Sequence, residues 1–212
     1  FSSSKIDMVY HMAANSDISK GTESTFTDLE RTFLTTFNVI DCMKDNGVKR
    51  IFFPSTSAVY GDIDGKIAEE STKNPVSLYG SAKLSSEAFL QAYSYLFDMQ
   101  VWVLRLANVI GPRTTHGVIF DFIKKLQMNP KKLEVLGNGT QNKPYIHVAD
   151  LIDCILFIIE NSNSSFNEYN VAPTETTTVR DIAELTSKFF GNDPQIIYEK
   201  QVAGWKGDIV SY

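Results

Sequence analysis

Apolar residues occur along this chain in two textures: short unbroken runs, and longer stretches in which they recur at helical spacing. Ile6 to Met12, Arg50 to Phe53 and Val101 to Leu106 are of the first kind and read as buried strands. Phe26 to Asn46 is of the second kind, with Phe33, Phe37, Ile40 and Met43 near one face and Gly47 as its stop. Leu78 to Phe97 is helical as well, with Phe89, Tyr93 and Leu96 on one stripe and Ala88, Ala92 and Tyr95 beside it. Apolar residues wrap most of that helix, which predicts burial on two sides. Strand, helix, strand, helix, strand, with connections long enough for parallel crossovers, is the pattern of a doubly wound α/β sheet.

After Gly111-Pro112 the elements shorten. The pattern predicts helices over Val118 to Met128, Ala149 to Ile159 and Val179 to Phe190, and strands over Leu133 to Leu136, Lys143 to Val148, Glu168 to Val171 and Gln195 to Tyr198. The division expected is a partial dinucleotide-binding domain over residues 1–112, with 143–171 contributing in part, and a smaller α/β substrate domain, mainly 113–212. The chain opens on a strand without the Gly-rich turn that begins such a fold, so truncation at both ends is expected. Pro54 lacks an amide donor and predicts a strand end or irregularity.

Composition narrows the function. A net charge of -5 gives no broad attraction to nucleic acid or an anionic membrane, so an anionic ligand has to be held by local groups in a pocket. No apolar run approaches the ~20 residues of a membrane span, and the first residues form no secretory signal, which makes a cytoplasmic location the default. Cys42 and Cys154 read as buried free thiols. His11, His116 and His147 show no zinc spacing, so no metal is expected.

The candidate chemistry centres on Tyr79-Gly80-Ser81-Ala82-Lys83 and the hydroxyl run Ser55-Thr56-Ser57. On a helix Tyr79 and Lys83 share a face, and a neighbouring ammonium favours the phenolate, so Tyr79 is a candidate base near neutrality. A chance match, with Tyr in the core and Lys in solvent, is the competing reading.

Several segments together resemble the extended short-chain dehydrogenase/reductase family, in its NAD-dependent nucleotide-sugar epimerase/dehydratase branch. They are His11-Met12-Ala13-Ala14, Gly47-Val48-Lys49-Arg50, Ser55 to Gly61, Tyr79 to Lys83, Arg105 to Arg113, Tyr145 to Val148, Tyr169-Asn170-Val171 and Gly207-Asp208-Ile209, in the family's order. Within the branch the chain looks most like the UDP-glucose 4-epimerase group. The resemblance implies a Rossmann-like fold, NAD as cofactor, a nucleotide-diphosphate sugar as substrate, a role in polysaccharide precursor synthesis, and a homodimer formed by the two long helices.

It also implies roles. Thr56, Tyr79 and Lys83 would be catalytic. Ala13, Ala14 and Leu106, with Tyr79 and Lys83, would meet the cofactor. Thr56, Asn108, Val118 and Lys143 would meet the substrate, with Arg113 a second candidate for the diphosphate. Ser55 and Ser57 read as strand-end capping hydroxyls, and His147 as structural. Dehydratases of the branch carry an acid/base carboxylate pair after the catalytic Thr, where this chain has Ser57 and Ala58. The chain departs from the pattern at Trp205, Lys143-Pro144 and Thr32, where the family has a phosphate-binding Arg, an Arg-Asp pair and a helix Asn. Two other readings stay open: an NAD(P)-dependent sugar or carbonyl reductase, and a catalytically silent dinucleotide sensor or scaffold.

Overall fold

The computed structural model describes residues 5–18, 20–63, 65–191 and 193–202. In chain order the elements begin with Val9–Tyr10 (β1), Lys20–Glu23 (α1), Phe26–Asp28 (α2), a π-helical turn at Leu29–Leu34, and Thr35–Asp45 (α3). Arg50–Thr56 (β2), a 3-10 turn at Ser57–Val59, Leu78–Phe97 (α4), Gln100–Leu106 (β3), Asn108–Ile110 (β4) and Val118–Met128 (α5) follow. The remainder is Lys132–Val135 (β5), Asn142–Lys143 (β6), Tyr145–His147 (β7), Val148–Asn161 (α6), Phe166–Val171 (β8), Thr177–Thr178 (β9), Val179–Phe189 (α7) and Gln195–Tyr198 (β10). The chain forms two compact units.

The first unit comprises Phe1–Gly61, Ile67–Ala107 and Asp150–Val171. Its sheet has the order β1-β2-β3-β8, all pairs parallel, as the sequence pattern predicts. Ile51 and Phe53 of β2 and Val101 and Val103 of β3 pack with Ile40 and Met43 of α3 and Leu90 of α4. The pleat sends the alternate residues Phe52, Trp102 and Leu104 to the opposite face, where they are also buried. Burial on both faces is why these strands read as unbroken apolar runs. On that second face the Trp102 indole donates to Ser162 Oγ at 2.8 Å, beyond the end of α6.

Three expectations change. The first strand is only Val9–Tyr10, and Tyr10 and Met12 are exposed rather than buried. Its ladder ends where the His11 amide donates to Phe52 O, and the Met12 amide then turns back onto Tyr10 O. Phe26 to Asn46 is helical throughout but widens into the π turn midway. Helix α4 has the predicted bounds but a different burial: Ala82, Lys83, Ser86, Glu87, Leu90 and Ser94 face inward, Phe89, Tyr95 and Leu96 are exposed, and Tyr93 of the expected stripe is half-buried against the core. Lys83 and Glu87 of its inward side hydrogen-bond to Pro54 and Ser55 of β2.

Pro54 sits inside β2, paired with Leu104, not at its end. Phe52 turns its backbone groups toward β1, where its carbonyl accepts from His11. Two residues on, Pro54 turns the same way, past the last β1 pairing, so a proline costs no ladder bond there.

The second unit comprises Asp62–Lys66, Asn108–Ala149 and Ala172–Tyr212. Among the described residues its ladders are β4 with β7, β5 with β10 and β6 with β9, and its core is Phe122 and Leu126 from α5, Leu133 and Val135 from β5, and Val179, Ile182 and Ala183 from α7. The strand expected over Lys143 to Val148 is divided at Pro144, which has no N–H to continue a ladder, and its halves join different sheets. Helix α7 begins with a capping box between Thr178 and Asp181.

Candidate active site

The C-terminal end of β2 runs directly into the 3-10 turn, and Thr56 joins the two. Its Oγ accepts the Ala58 N–H at 3.2 Å, which caps the turn. That bond takes one lone pair and leaves the hydroxyl's own proton to donate elsewhere. Helix α4 comes down onto this turn at Gly80: a Cβ there would stand 2.6 Å from the Ala58 carbonyl oxygen, so only glycine allows the approach. Tyr79, half-buried, is thereby carried to within a residue of the backbone contact that Thr56 organises.

One turn along α4, Lys83 is 3% exposed. Its Nζ donates at 2.7 Å to Pro54 O, the carbonyl left without a strand partner beyond the end of β1. The ammonium lies 4.5 Å from the Phe53 ring centre and 6.0 Å from that of Tyr79. Burial pulls the Lys83 pKa down to about 8, against the opposing pull of the Glu87 charge. The solvated-lysine reading is thus excluded: Lys83 is a buried cation on the Tyr79 face of the helix.

A further turn on, Glu87 anchors a polar network that the sequence patterns did not reveal. Its carboxylate accepts the Ser55 hydroxyl and the Arg105 guanidinium, through Nε at 3.2 Å to both oxygens and Nη2 at 2.8 Å. Arg105 also donates to Glu168 at 2.5 Å and to the Tyr60 hydroxyl at 2.8 Å, which in turn donates to Asn170 Oδ1 at 2.7 Å. Burial works against the charge on Arg105, and its bonds to Glu87 more than offset this, so its pKa stands above the ordinary value. Burial raises that of Tyr60, which stays a neutral phenol. Ser55 is therefore a partner of Glu87 and not a strand cap; Thr56 does the capping. The missed signal was Arg105 itself, a charge in the middle of an apolar strand, which demands a buried counter-ion.

On the β1 side, His11 Nε2 lies 3.0 Å from Thr36 Oγ1, whose own proton goes to Thr32 O at 2.7 Å. The Thr36 oxygen must then accept, which makes Nε2 the protonated nitrogen. Burial, with the Lys83 charge, brings the His11 pKa down to about 4, so the ring is neutral. The loop that follows presents Ala13, exposed, and Ala14, half-buried. It is held by Thr32, which accepts the Asn15 N–H at 3.1 Å, and by Asp28, which accepts from Asn15 Nδ2 at 2.8 Å. Thr32, a departure from the family pattern, thus fixes this loop from within the π turn, a feature that recurs at functional sites. Leu106 ends β3, half-buried, opposite Thr56.

Asn108, Val118 and Lys143 belong to the second unit. Asn108 donates from its backbone N–H and from Nδ2 to Pro144 O, each at 3.3 Å, which places it beside the residue that follows Lys143. Lys143 pairs with Thr177 in the β6–β9 ladder, and Val118 opens α5 against its core. Arg113 is exposed and holds a φ of 67°, in the left-handed region. His147 Nδ1 accepts the Ala149 N–H at 3.2 Å, in keeping with a structural role. Cys42 and Cys154 are half-buried free thiols, less enclosed than expected. Trp205 and Gly207-Asp208-Ile209 lie outside the described residues. Among the described residues no helix is long and apolar enough to cross a membrane.

The model of the NAD dependent epimerase/dehydratase family matches residues 1–172. A putative UDP-glucose 4-epimerase of Methanocaldococcus jannaschii is 27% identical over 94% of this chain and 66% of its own length. A dTDP-D-glucose 4,6-dehydratase of Mus musculus is 28% identical over 87% of this chain and 52% of its own length. Among solved structures, a UDP-galactose 4-epimerase superposes with a TM-score of 0.88 at 34% identity, over 98% of this chain and 67% of that one. The chain therefore spans about half to two thirds of the curated relatives it matches.

Proposed function

The chain belongs to the NAD dependent epimerase/dehydratase family, and from that premise we propose that the protein is a nucleotide-sugar epimerase of the UDP-hexose 4-epimerase type. The observation that carries the reading is the face of α4: Lys83 buried and fixed on Pro54 O, one turn from Tyr79, with Gly80 pressed on the turn that Thr56 caps. In this reading the Tyr79 oxygen takes the proton of a sugar hydroxyl, Thr56 donates to the same oxygen, and the Lys83 ammonium favours the phenolate. Bound NAD would accept a hydride from the sugar and return it to the other face of the keto-sugar.

The residues present suit such a cofactor. They lie at the carboxyl ends of parallel strands, where dinucleotides bind; Ala13 and Ala14 project only methyl groups, and the Lys83 ammonium has N–H donors beyond the one on Pro54, as a ribose diol requires. Leu106, at the end of β3, would add an apolar wall. Asn108, Val118 and Lys143 are the proposed substrate contacts.

Epimerisation is favoured over dehydration because loss of water needs a second acid/base pair. The positions after Thr56 carry Ser57 and Ala58, and the buried Glu87 carboxylate is bound to Ser55 and Arg105. The test is incubation of the full-length protein with NAD and UDP-glucose, UDP-N-acetylglucosamine or UDP-glucuronate, with the sugars read by NMR. An inverted stereocentre without net NADH supports the proposal. Retention of every centre removes it, and accumulating NADH points instead to a net dehydrogenase or reductase.

The exposed Phe89, Tyr95 and Leu96 of α4, with Phe26, Leu29 and Leu34, form the surface we assign to a homodimer contact. A monomer by light scattering of the full-length protein would remove that assignment.

A further inference from the structure

We propose that Glu87 is a positioning residue for the reaction: held by Ser55 and Arg105, it fixes the register of α4 on β2 and so keeps the Lys83 ammonium on the Pro54 carbonyl beside Tyr79. The inference rests on the proposed role of Tyr79 and Lys83. Tyr79, Lys83 and Glu87 follow one another at four-residue intervals along α4, so they line one side of the helix.

Two of the three are tied to consecutive residues of β2, Lys83 to the Pro54 carbonyl and Glu87 to the Ser55 hydroxyl. A helix pinned at two points one turn apart can neither slide nor rotate on the strand without breaking both. The second pin is stiffened from outside, because Arg105 reaches the same carboxylate from β3 while Glu168 and Tyr60 hold the guanidinium. Glu87 is 4% exposed and Arg105 2%, so water cannot replace either partner.

Glu87 also faces Lys83 as a charge. The titratable groups around that ammonium are Tyr79 and Glu87 from its own helix and His11 from the β1 end, while Phe53 of β2 covers it. His11 is neutral, which leaves Glu87 as the negative charge that opposes the loss of the Lys83 proton on burial. Ser55 and Arg105 thus set the place of the carboxylate, and the carboxylate sets both the place and the charge of the lysine.

The experiment compares Glu87→Gln and Glu87→Asp in the full-length protein. The Lys83 titration is followed by NMR of carbon-labelled lysine, with its signal identified by loss in Lys83→Arg. Removing the negative charge in Glu87→Gln lowers the Lys83 titration by about one pH unit and moves the alkaline limb of the pH–rate profile down with it. Glu87→Asp keeps the charge but cannot span Ser55 and Arg105. Its titration stays near the wild-type value while kcat falls about tenfold or more with little change in KM, the signature of a misplaced catalytic group.

A role confined to stability lowers the melting temperature of both variants and leaves the titration and the pH profile where they were; that result overturns the proposal. If Glu87→Gln does not fold, Glu87→Asp still decides, because wild-type kcat in that variant shows that register is not set by Glu87. The titration is read without substrate. An unmoved titration therefore sinks this inference alone, and the absence of epimerised product beside a normal titration response sinks the proposed reaction alone.

Discussion

Around α4 the first unit buries His11, Ser55, Lys83, Glu87 and Arg105, whereas the core of the second is built from Phe122, Leu126, Leu133, Val135, Val179, Ile182 and Ala183. Both arrangements exclude water, but they constrain geometry differently. Apolar contact is non-directional, so a helix on an aliphatic core can shift by a fraction of an ångström at small cost. A buried ion must keep its partners at hydrogen-bond distance and angle, or its full desolvation cost returns. The polar interior of the first unit therefore adds little net stability and a great deal of positional definition, on the helix that carries Tyr79 and Lys83.

The contrast predicts where function and stability part company. Tyr79→Phe should lower turnover by about 10²–10⁴-fold, the range for a lost general acid/base group, with the melting temperature almost unmoved. Near-wild-type turnover in that variant would break the reading of α4 as the reactive helix. Arg105→Met should cost about 3–5 kcal/mol in urea unfolding, because it leaves Glu87 buried without its counter-ion. Adding Glu87→Met should recover much of that loss without restoring turnover. Leu126→Ala in the second unit should cost about 3 kcal/mol as a simple cavity, with no such rescue by a charge-removing partner. If Arg105→Met proves as mild as a surface change, the two interiors do not differ as described.

These differences also explain what could be read from the sequence. The parallel sheet, the bounds of α4, α5 and β10, and the pairing of Tyr79 with Lys83 on one face were legible because each is written in local spacing. Family resemblance singled out Thr56 from the flanking Ser55 and Ser57, which spacing alone could not do. The partners of Glu87, namely Ser55 and Arg105, lie 32 and 18 positions away, and no local period encodes such a meeting. The same blindness misplaced part of the burial of α4: Phe89 and Leu96 of its apolar stripe are exposed, while Lys83 and Glu87 on its buried side bond to β2 and β3. At Pro54 the sequence predicts a strand end or irregularity, and the outcome turns on which neighbouring strand remains beside the proline. Here β1 has ended, and the orphaned carbonyl serves Lys83. The short β4 and β9 ladders, two or three residues long, carry too little pattern to be seen at all.

A smaller effect separates the interiors by pH. Burial, with Lys83 nearby, lowers the His11 pKa to about 4 from the 6.5 of an unhindered imidazole. Between those values the unfolded chain binds a proton that the fold does not, so stability rises with pH across that window and is lost as pH falls through it. The loss should be on the order of 2 kcal/mol by pH 4, and His11→Gln should flatten that slope. Melting temperatures at pH 7 and pH 5 for both proteins check it; parallel slopes would mean that His11 is charged in the fold.

The mildest change sharpens the comparison most. The polar groups that cap the second unit's α7 are local and at the surface: Thr178 Oγ1 accepts the Asp181 N–H at 3.0 Å, and the Asp181 carboxylate accepts the Thr178 N–H at 3.1 Å. Bonds from Thr178 hold the Asp181 pKa below its ordinary value, so the box is complete above the usual carboxylate range and weakens as pH drops through the lowered value. That window is more acidic than the one His11 governs. Thr178→Ala should cost about 1 kcal/mol, the usual worth of an N-cap, seen as faster amide exchange in the first turn of α7. The Lys83 titration and the pH–rate profile should stay as they are, because a local cap passes nothing to the network around Glu87. A shift of the Lys83 titration in this variant would show that the two interiors are coupled, and that the division drawn between them is wrong.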